Sequence, residues 1–273
     1  MVYKLLALDL DDTLLDRSFQ ISPQNMAAIQ SAVQKGVLVT FATGRMYCSA
    51  LPYARQLGIE MPLITYHGAL IKTVAGETLY HCPVPLDLAR EIIAIAKAGH
   101  YNLHIYLNDE LYVAAENEHT RYYQQVAQVK VNAVGDLVSF LTQAPTKLTI
   151  VDAEERLPAL QEELRKHFNQ QLAINISRSR FLEITAKQAT KGQALRYLAK
   201  LHQIPRSQIA AIGDSYNDLD MLEYAGMGVA VANAREAVKE VADHITEASY
   251  NHGVAVFIQQ YVLRDEGAGP EWK

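Results

Sequence analysis

The sequence predicts an α/β fold in which a parallel sheet flanked by helices is interrupted by a smaller inserted domain. Three observations support this prediction. Short unbroken apolar runs alternate with amphipathic helices at both ends of the chain, acids and hydroxyls directly follow several of those runs, and the middle of the chain lacks this rhythm. The length of 273 residues suits a core with an insert better than one average domain.

The first strand is predicted at residues 5–8, a short apolar run with charged residues on both sides. Ser22 and Pro23 then provide an N-cap and a first helical residue for an amphipathic helix. A second apolar run at residues 37–42 completes a strand, helix, strand unit. Such units cross over with a right hand and direct ligands to the carboxyl ends of their strands.

From about Cys82 the pattern changes, and residues 82–186 form the predicted insert. Its helices are expected at residues 88–98 and 157–168, and its strands at residues 103–107, 111–114, 147–151 and 181–184. The dipeptide Asn108-Asp109 is expected to turn two of these strands into a hairpin. Helices mixed with hairpin strands indicate an α+β module.

After the insert, the α/β alternation resumes with a helix and then an apolar run at residues 209–212, which ends at Gly213. The core is therefore discontinuous in sequence. The predicted domains are a core of residues 1–81 and 187–273 and an α+β cap of residues 82–186.

Composition and charge narrow the classes of partner. The net charge of -5 provides no broad basic field, so a nucleic-acid partner is not expected. Cys48 and Cys82 are too few for a disulfide framework, and no apolar stretch is long enough to cross a bilayer. The first residues lack a signal-peptide pattern, which predicts a cytoplasmic location, and residues 264–273 are predicted to be a flexible tail.

Four short segments place chemically capable side chains at strand ends or helix starts. They are Asp9-Leu10-Asp11-Asp12-Thr13-Leu14, Thr43-Gly44-Arg45, Thr190-Lys191-Gly192 and Gly213-Asp214-Ser215-Tyr216-Asn217-Asp218. Each segment alone has an ordinary alternative: a solvated loop for the first, a helix cap for the second and fourth, and a surface charge for the lysine. Their occurrence together, in this order, favours one shared site.

With these four segments, the chain resembles the haloacid dehalogenase-like superfamily, and within it the Cof-type sugar-phosphatase branch. The resemblance covers the whole chain apart from the tail. It implies a Rossmann-like, doubly wound parallel sheet as the core, with the α+β cap inserted between the second and third motifs. It also implies a phosphatase.

The resemblance implies a role for each acid of the first motif. Asp9 would be the nucleophile that attacks phosphorus and carries an aspartyl-phosphate. Asp11 would protonate the leaving oxygen and later deprotonate water. A carboxylate suits this covalent route because an acyl phosphate is itself readily hydrolysed, and one acid-base group can serve both halves. Thr43 and Lys191 complete the expected catalytic set.

The resemblance also implies a Mg²⁺ site. Asp9 and Asp214 would bind the ion through carboxylates, Asp11 through its backbone carbonyl, and Asp218 would support this shell from behind. The expected phosphate-binding groups are those of Leu10, Thr43, Gly44, Lys191 and Asn217. Two like charges about 5 Å apart repel by roughly 3 kcal/mol at an effective dielectric near 20, so the clustered acids need the cation. Metal-free protein is therefore expected to be inactive.

Two positions depart from the family pattern. Asp12 stands where many members have Gly, and His67-Gly68-Ala69 stands where relatives usually have Asn-Gly-Ala. His67 is open to two interpretations, a residue that tunes leaving-group choice or pH response, and a histidine satisfied in the core. Arg45 is also open to two interpretations, a residue that contacts the substrate phosphate or an acid of the cap, and a charge on the helix surface.

In the cap, Arg178 and Arg180 are candidates for gripping substrate, while Tyr106, Tyr122 and Tyr123 are expected to pack. The expected substrate is a small phosphorylated metabolite, such as a sugar phosphate. A pyridoxal-phosphate or nucleotide phosphatase, a dehalogenase, a phosphomutase and a catalytically silent phosphometabolite-binding protein remain alternatives. The expected state is a monomer or weak homodimer, with no nucleic-acid or membrane partner.

Overall fold

The computed structural model describes residues 3–247, 249 and 252–263, so the predicted flexible tail lies outside the described residues. In chain order the strands are β1 (Leu5–Leu8), β2 (Leu38–Phe41), β3 (Leu63–Thr65), β4 (Leu70–Lys72), β5 (Thr78–His81), β6 (Leu103–Leu107), β7 (Glu110–Val113), β8 (Val131–Ala133), β9 (Lys147–Val151), β10 (Leu172–Arg178), β11 (Phe181–Ala186), β12 (Ile209–Gly213), β13 (Met227–Ala230) and β14 (His244–Ile245).

The α-helices are α1 (Pro23–Gln34), α2 (Tyr47–Leu57), α3 (Leu86–Ala98), α4 (Glu118–Ala127), α5 (Leu137–Phe140), α6 (Leu157–Phe168), α7 (Lys191–Leu201), α8 (Leu219–Tyr224), α9 (Glu236–Val241) and α10 (Gly253–Phe257). A π-helical stretch, Ile258–Val262, follows α10. Among the described residues, no helix combines the length and apolarity that a membrane span requires.

The chain divides into two compact units. The first comprises the described parts of residues 1–44, 50–79 and 190–273, and the second comprises residues 45–49 and 80–189. The first unit is the α/β core, and the second is the inserted α+β module. The short segment at residues 45–49 groups with the second unit although it precedes the insert in sequence.

The first unit is built on a five-stranded parallel sheet in the order β14-β13-β12-β1-β2. All four residues of β1 are fully buried, which is why this strand is apolar without alternation. Helix α1 begins where predicted, because Ser22 Oγ accepts from the backbone N–H of Asn25 at 3.2 Å. Leu8 pairs with both Ile212 and Phe41, so the residues after these strands leave the sheet at the same edge.

The second unit contains a six-stranded sheet in the order β10-β11-β9-β6-β7-β8, antiparallel except for the pair β7 and β8. Apolar residues of α3 and α6 pack with the sheet in a single buried cluster. The predicted hairpin turn is confirmed: Asn108 and Asp109 have φ values of 54° and 62°, the left-handed pair that a two-residue β-hairpin turn requires. The α+β character of the insert follows from this arrangement.

Candidate active site

Asp9 stands where β1 leaves the parallel sheet of the first unit. Its backbone N–H donates to the carbonyl of Ile212 at 2.9 Å, which extends the pairing of β1 with β12 by one residue. The residue is only 6% exposed. This tie holds the carboxylate at the carboxyl edge of the sheet, where ligands of open α/β folds bind.

Lys191 is the first residue of α7, and its side chain is fully buried. The helix begins here because Thr190 caps it, with Oγ1 accepting from the backbone N–H of Gln193 at 3.2 Å. The ammonium Nζ lies 2.5 Å from Asp9 Oδ1 and 2.5 Å from Asp218 Oδ1. The lysine is therefore not the surface charge that the isolated motif also allowed.

Two opposing effects act on the ammonium of this lysine. Burial lowers the pKa of Lys191, but the carboxylates of Asp218 and Asp9 more than offset that effect, and the net shift is upward. Lys191 is consequently charged at neutral pH and acts as a fixed positive centre.

The loop after β12 carries the two other acids of the site. Asp218 Oδ2 accepts from the backbone N–H groups of Asp214 at 3.0 Å and Ser215 at 2.9 Å. Because Asp218 Oδ1 holds Lys191, both of its oxygens are engaged. Asp214 instead accepts from two neutral hydroxyls, Thr13 Oγ1 and Ser215 Oγ, each at 2.8 Å. Asp218 therefore fixes the backbone of this loop and pairs with Lys191. The two hydrogen bonds to Asp214 come from neutral groups.

The carboxylates of Asp9, Asp214 and Asp218 are all buried, and each offers an oxygen within 4.8 Å of the others. Burial raises the pKa of Asp9 well above its ordinary value, Lys191 opposes the rise, and the other two acids add to it. Burial, followed by the charge of Asp218, raises the pKa of Asp214 to about 6. Three acids and one ammonium leave the cluster with excess negative charge.

This donor set fits a magnesium ion. Mg²⁺ prefers oxygen ligands, and it is commonly held by one or two carboxylates together with waters and substrate oxygens. Asp9 and Asp214 would bind the ion, because the oxygens of Asp218 are already held by Lys191 and by the loop backbone. The raised pKa values show that the ionised forms of Asp9 and Asp214 are disfavoured in this buried site. The positive charge of a bound ion would stabilise those ionised forms.

The remaining acids of the first motif lie outside this group of three. Asp11 is half-buried, and its expected contact with the metal is through the backbone carbonyl. Asp12 is exposed and has a φ of 61°, in the left-handed region where Gly is favoured and Asp is tolerated. That backbone conformation gives a physical reason for Gly at the corresponding position of many family members.

Two of the expected phosphate-binding residues, Leu10 and Thr43, lie in the segments that follow β1 and β2. The N–H of Thr43 donates to the carbonyl of Ile64 at 2.9 Å, so a phosphoryl contact from Thr43 would use its hydroxyl. The carbonyl of Leu10 accepts from the N–H groups of Leu14 at 2.9 Å and Leu15 at 2.7 Å, which turns the chain directly after Asp9.

Sequence reasoning did not foresee how the turn at residues 66–68 joins these loops. The N–H of His67 donates to the carbonyl of Thr43 at 2.9 Å, and the imidazole Nδ1 lies 3.0 Å from Asn217 Nδ2. A Cβ added at Gly68 would lie 2.1 Å from the carbonyl oxygen of Thr190, so the backbones approach as only Gly allows. The departure from the family triplet at His67 was the available signal.

The candidate substrate contacts Arg45, Arg178 and Arg180 lie in the second unit. The guanidinium of Arg180 donates to the carbonyl of Asp152, lies 3.1 Å from His119 Nδ1 and stacks over the Tyr122 ring. Arg178 is exposed at the end of β10. Arg45 groups with the second unit, where Nη1 lies 3.4 Å from Ser49 Oγ.

The three tyrosines expected to pack do so. Tyr106 and Tyr123 are buried and share a hydrogen bond of 2.6 Å between their hydroxyls. The Tyr122 ring lies 5.9 Å from the ring of Phe181.

Comparison with known proteins agrees with this geometry. Residues 6–258 match the family model of the haloacid dehalogenase-like hydrolases. A 5-amino-6-(5-phospho-D-ribitylamino)uracil phosphatase of Bacillus subtilis is 32% identical, over 94% of this chain and 97% of that protein. An HMP-PP phosphatase of Serratia proteamaculans is 27% identical, over 96% of each chain.

The fold is matched by solved structures as well. A crystal structure from Thermotoga maritima has a TM-score of 0.86 and 31% identity, covering 94% of this chain and 97% of that one. The superfamily generally uses Mg²⁺, in keeping with the acid cluster. The chain therefore belongs to the haloacid dehalogenase-like hydrolases, and within them to the Cof-type phosphatases, which are phosphoric monoester hydrolases.

Proposed function

We propose that this phosphatase depends on Mg²⁺ and transfers the phosphoryl group of a small phosphate monoester to Asp9 before water releases it. The observation that carries the proposal is the buried group of Asp9, Asp214 and Asp218, whose oxygens lie within 4.8 Å of one another beside the ammonium of Lys191. Its excess negative charge is what a divalent cation would neutralise.

In the first half-reaction, a carboxylate oxygen of Asp9 attacks phosphorus and the bond from phosphorus to the ester oxygen breaks. Asp11 donates a proton to that leaving oxygen. Asp9 must be ionised to attack, yet burial raises its pKa. The ammonium of Lys191, 2.5 Å from Asp9 Oδ1, favours the ionised form.

In the second half-reaction, water attacks phosphorus and Asp11 accepts a proton from it. The bond from phosphorus to Asp9 breaks, which yields inorganic phosphate and restores both acids to their starting states. The covalent route replaces one difficult displacement with two easier ones, and the same residue serves as acid and then as base.

The other residues of the site would bind the phosphoryl group through their charge and position. A bound Mg²⁺ supplies positive charge at the phosphoryl oxygens and offsets the carboxylates. Lys191, the Thr43 hydroxyl and the amide of Asn217 would donate to phosphoryl oxygens, with backbone N–H groups of Leu10 and Gly44. Preorganised donors of this kind act mainly by electrostatic stabilisation of the transferring group.

The proposed substrate is a small phosphorylated metabolite, and the relatives named as phosphatases of a ribitylamino-uracil phosphate support this class. We also propose a cytoplasmic enzyme, monomeric or weakly dimeric, without nucleic-acid or membrane partners. The net charge of -5 supports the absence of a nucleic-acid partner, because it provides no general attraction for polyanions.

The test compares hydrolysis of para-nitrophenyl phosphate by wild type, Asp9→Asn and Asp12→Asn. Asp12 is an exposed neighbour in the same loop, and its left-handed φ of 61° also suits Asn, so it is a matched control. We expect Asp9→Asn to lose at least about 1000-fold in kcat while Asp12→Asn stays within about twofold of wild type. Excess chelator should abolish turnover, and added Mg²⁺ should restore it. Equal rates for wild type and Asp9→Asn would refute the mechanism.

The products separate the alternatives. A dehalogenase would release halide from a haloacid, and a phosphomutase would return an isomeric phosphate ester in place of inorganic phosphate. A silent binding protein would bind phosphate without turning over any ester. A panel of sugar phosphates, nucleotides, pyridoxal phosphate and 5-amino-6-(5-phospho-D-ribitylamino)uracil, assayed for phosphate release, would then identify the preferred substrate class.

A further inference from the structure

The turn at residues 66–68 has a backbone conformation that is costly for ordinary residues. Tyr66, His67 and Gly68 have successive φ values of 52°, 58° and 100°. For an L-residue the left-handed region costs roughly 1–2 kcal/mol, and such strain persists only where the surroundings enforce it. Here the enforcing contacts include the fully buried Tyr66 and the hydrogen bond from His67 to the carbonyl of Thr43.

This backbone places the imidazole of His67 against the phosphate-binding loop. A Cβ added at Gly44 would lie 2.3 Å from His67 Cε1 and 2.6 Å from Nε2, far inside van der Waals contact. The ring therefore occupies the space that a side chain at residue 44 would fill. Gly44 and the His67 ring are therefore closely packed against each other, next to Thr43.

The same imidazole contacts Asn217 in the acidic loop. His67 Nδ1 lies 3.0 Å from Asn217 Nδ2, and an amide nitrogen can only donate, so Nδ1 is the acceptor in this contact. Asn217 is exposed, so its side chain would otherwise be able to rotate in solvent. The contact uses one of its two N–H groups and leaves the second as a donor.

We propose that His67 is a positioning residue for phosphate recognition. By accepting from Asn217, it holds the amide so that the second N–H is presented to a phosphoryl oxygen, and it does so from a turn anchored on Thr43. The inference rests on the proposed function, because that function assigns Asn217 to the phosphoryl group. It adds the residue that fixes the orientation of this amide.

The test uses two substitutions at residue 67 that both tolerate the left-handed backbone. His67→Gly removes the acceptor. His67→Asn keeps one, because the side-chain oxygen of Asn lies the same number of bonds from Cα as Nδ1 does, and Asn adopts this region readily. Inorganic phosphate is the probe, measured as a competitive inhibitor of para-nitrophenyl phosphate hydrolysis with Mg²⁺, together with KM and kcat.

We expect His67→Gly to weaken phosphate inhibition and raise KM by about tenfold, the effect of losing one oriented hydrogen bond, with a smaller change in kcat. His67→Asn should restore both constants to within about threefold of wild type. The single change Asn217→Ala should match His67→Gly, and the double variant should be no worse than Asn217→Ala alone, because the two residues act as one unit.

Phosphate affinity unchanged in His67→Gly, or additive losses in the double variant, would overturn the inference. If His67→Gly does not fold by circular dichroism, His67→Ala, which also lacks the acceptor, takes its place: phosphate affinity reduced to the Asn217→Ala level supports the role, and affinity kept near wild type overturns it. Failure of the proposed function is distinguishable, since wild type itself would then release no phosphate in a Mg²⁺-dependent manner.

Discussion

Each of the two units buries a lysine among acids, but the charge balance differs. In the core, Lys191 lies 2.5 Å from both Asp9 and Asp218, with Asp214 close by. In the second unit, Lys147 lies 3.0 Å from Glu183, with side-chain exposures of 3% and 13%, and its ammonium also lies 4.8 Å from the centre of the Tyr106 ring.

The difference indicates what each cluster is for. Burial lowers the pKa of Lys147, Glu183 more than offsets this, and the pair is balanced with one charge of each sign. The core cluster has an excess of carboxylates: burial first, and then the neighbouring acids, raise the pKa of Asp9 and that of Asp214. Removing one partner of a balanced buried pair leaves an uncompensated charge and destabilises the fold, whereas a cluster with excess carboxylates gains stability when a cation binds to it.

The sharpest way to separate the two clusters is Asp214→Asn. We expect it to lower kcat/KM by at least about 100-fold, because it removes a proposed ligand of the cation. In metal-free protein near pH 7.5, however, it should raise the free energy of unfolding, since one of three crowded carboxylates is neutralised. Urea unfolding in chelator measures this, and a loss of stability would contradict the charge-excess interpretation.

In the second unit the same kind of substitution should have the opposite sign. Glu183→Gln leaves the buried ammonium of Lys147 without its counter-charge, so we expect the free energy of unfolding to fall by about 3 kcal/mol. The double variant Lys147→Met/Glu183→Gln should lose much less than the two single losses added together. Urea unfolding of all four proteins measures the coupling, and additive losses would mean that the pair is not coupled.

The pH dependence of metal-free stability tests the raised pKa of Asp214. The pKa of Asp214 is about 6 in the folded protein against an ordinary 3.8, so the folded state binds the proton more tightly. Its contribution to stability is complete below the unfolded pKa and is lost as pH rises through about 6. Between about pH 5 and 7.5 the loss should be about 1.4 kcal/mol, and Asp9 should add to it in the same direction.

The matched control for this experiment is Asp214→Asn, which lacks the titrating group and should show a smaller slope in urea unfolding at the same pH values. Titrating groups away from the cluster are common to both proteins, and Asp9 should change in the same direction, because loss of the Asp214 charge also lowers the pKa of Asp9. Saturating Mg²⁺ should also reduce the slope in wild type, because the bound cation favours the ionised carboxylate. Identical slopes in wild type and Asp214→Asn would be inconsistent with a raised pKa at this residue.

A smaller effect is expected at His104 in the second unit. Within the described part of the chain, neither of its ring nitrogens has a hydrogen-bond partner, and burial lowers its pKa to about 3, which keeps it neutral. His104→Phe should keep the edge contact with the Tyr123 ring and raise the free energy of unfolding by about 1 kcal/mol, because an unpaired polar group is removed. A lower urea midpoint at unchanged m-value would contradict this.

The smallest effect should come from an exposed pair of the same unit. Lys97 and Asp136 lie 3.0 Å apart, but their side chains are 73% and 45% exposed, so solvent screens the attraction. Lys97→Gln should leave the urea midpoint and the m-value the same as those of wild type. It is the control for Glu183→Gln, and a comparable loss in both would remove the distinction between buried and exposed pairs.

Local patterns predicted most of the longer elements. The helices α1 and α6 and the strands β1 and β9 occur at the expected residues, because capping residues, amphipathic spacing and unbroken apolar runs act within one element. The strands β3 and β4 were not predicted, since three residues are too few to show a period. At His67 the sequence showed only a departure from the Asn-Gly-Ala triplet of the family. The left-handed backbone of the turn was not predicted, because it depends on contacts made after folding.

For this protein, the sequence by itself determined which acids follow buried strands and which lysine begins a helix, because strand ends and helix caps are local properties. Only the tertiary structure decided that Asp9, Lys191 and Asp218, separated by as many as 209 positions, share one buried cluster. Burial and distance set the charge balance, the raised pKa of Asp214 and the contact between His67 and Asn217. Those quantities exist only once distant segments pack together and water is excluded.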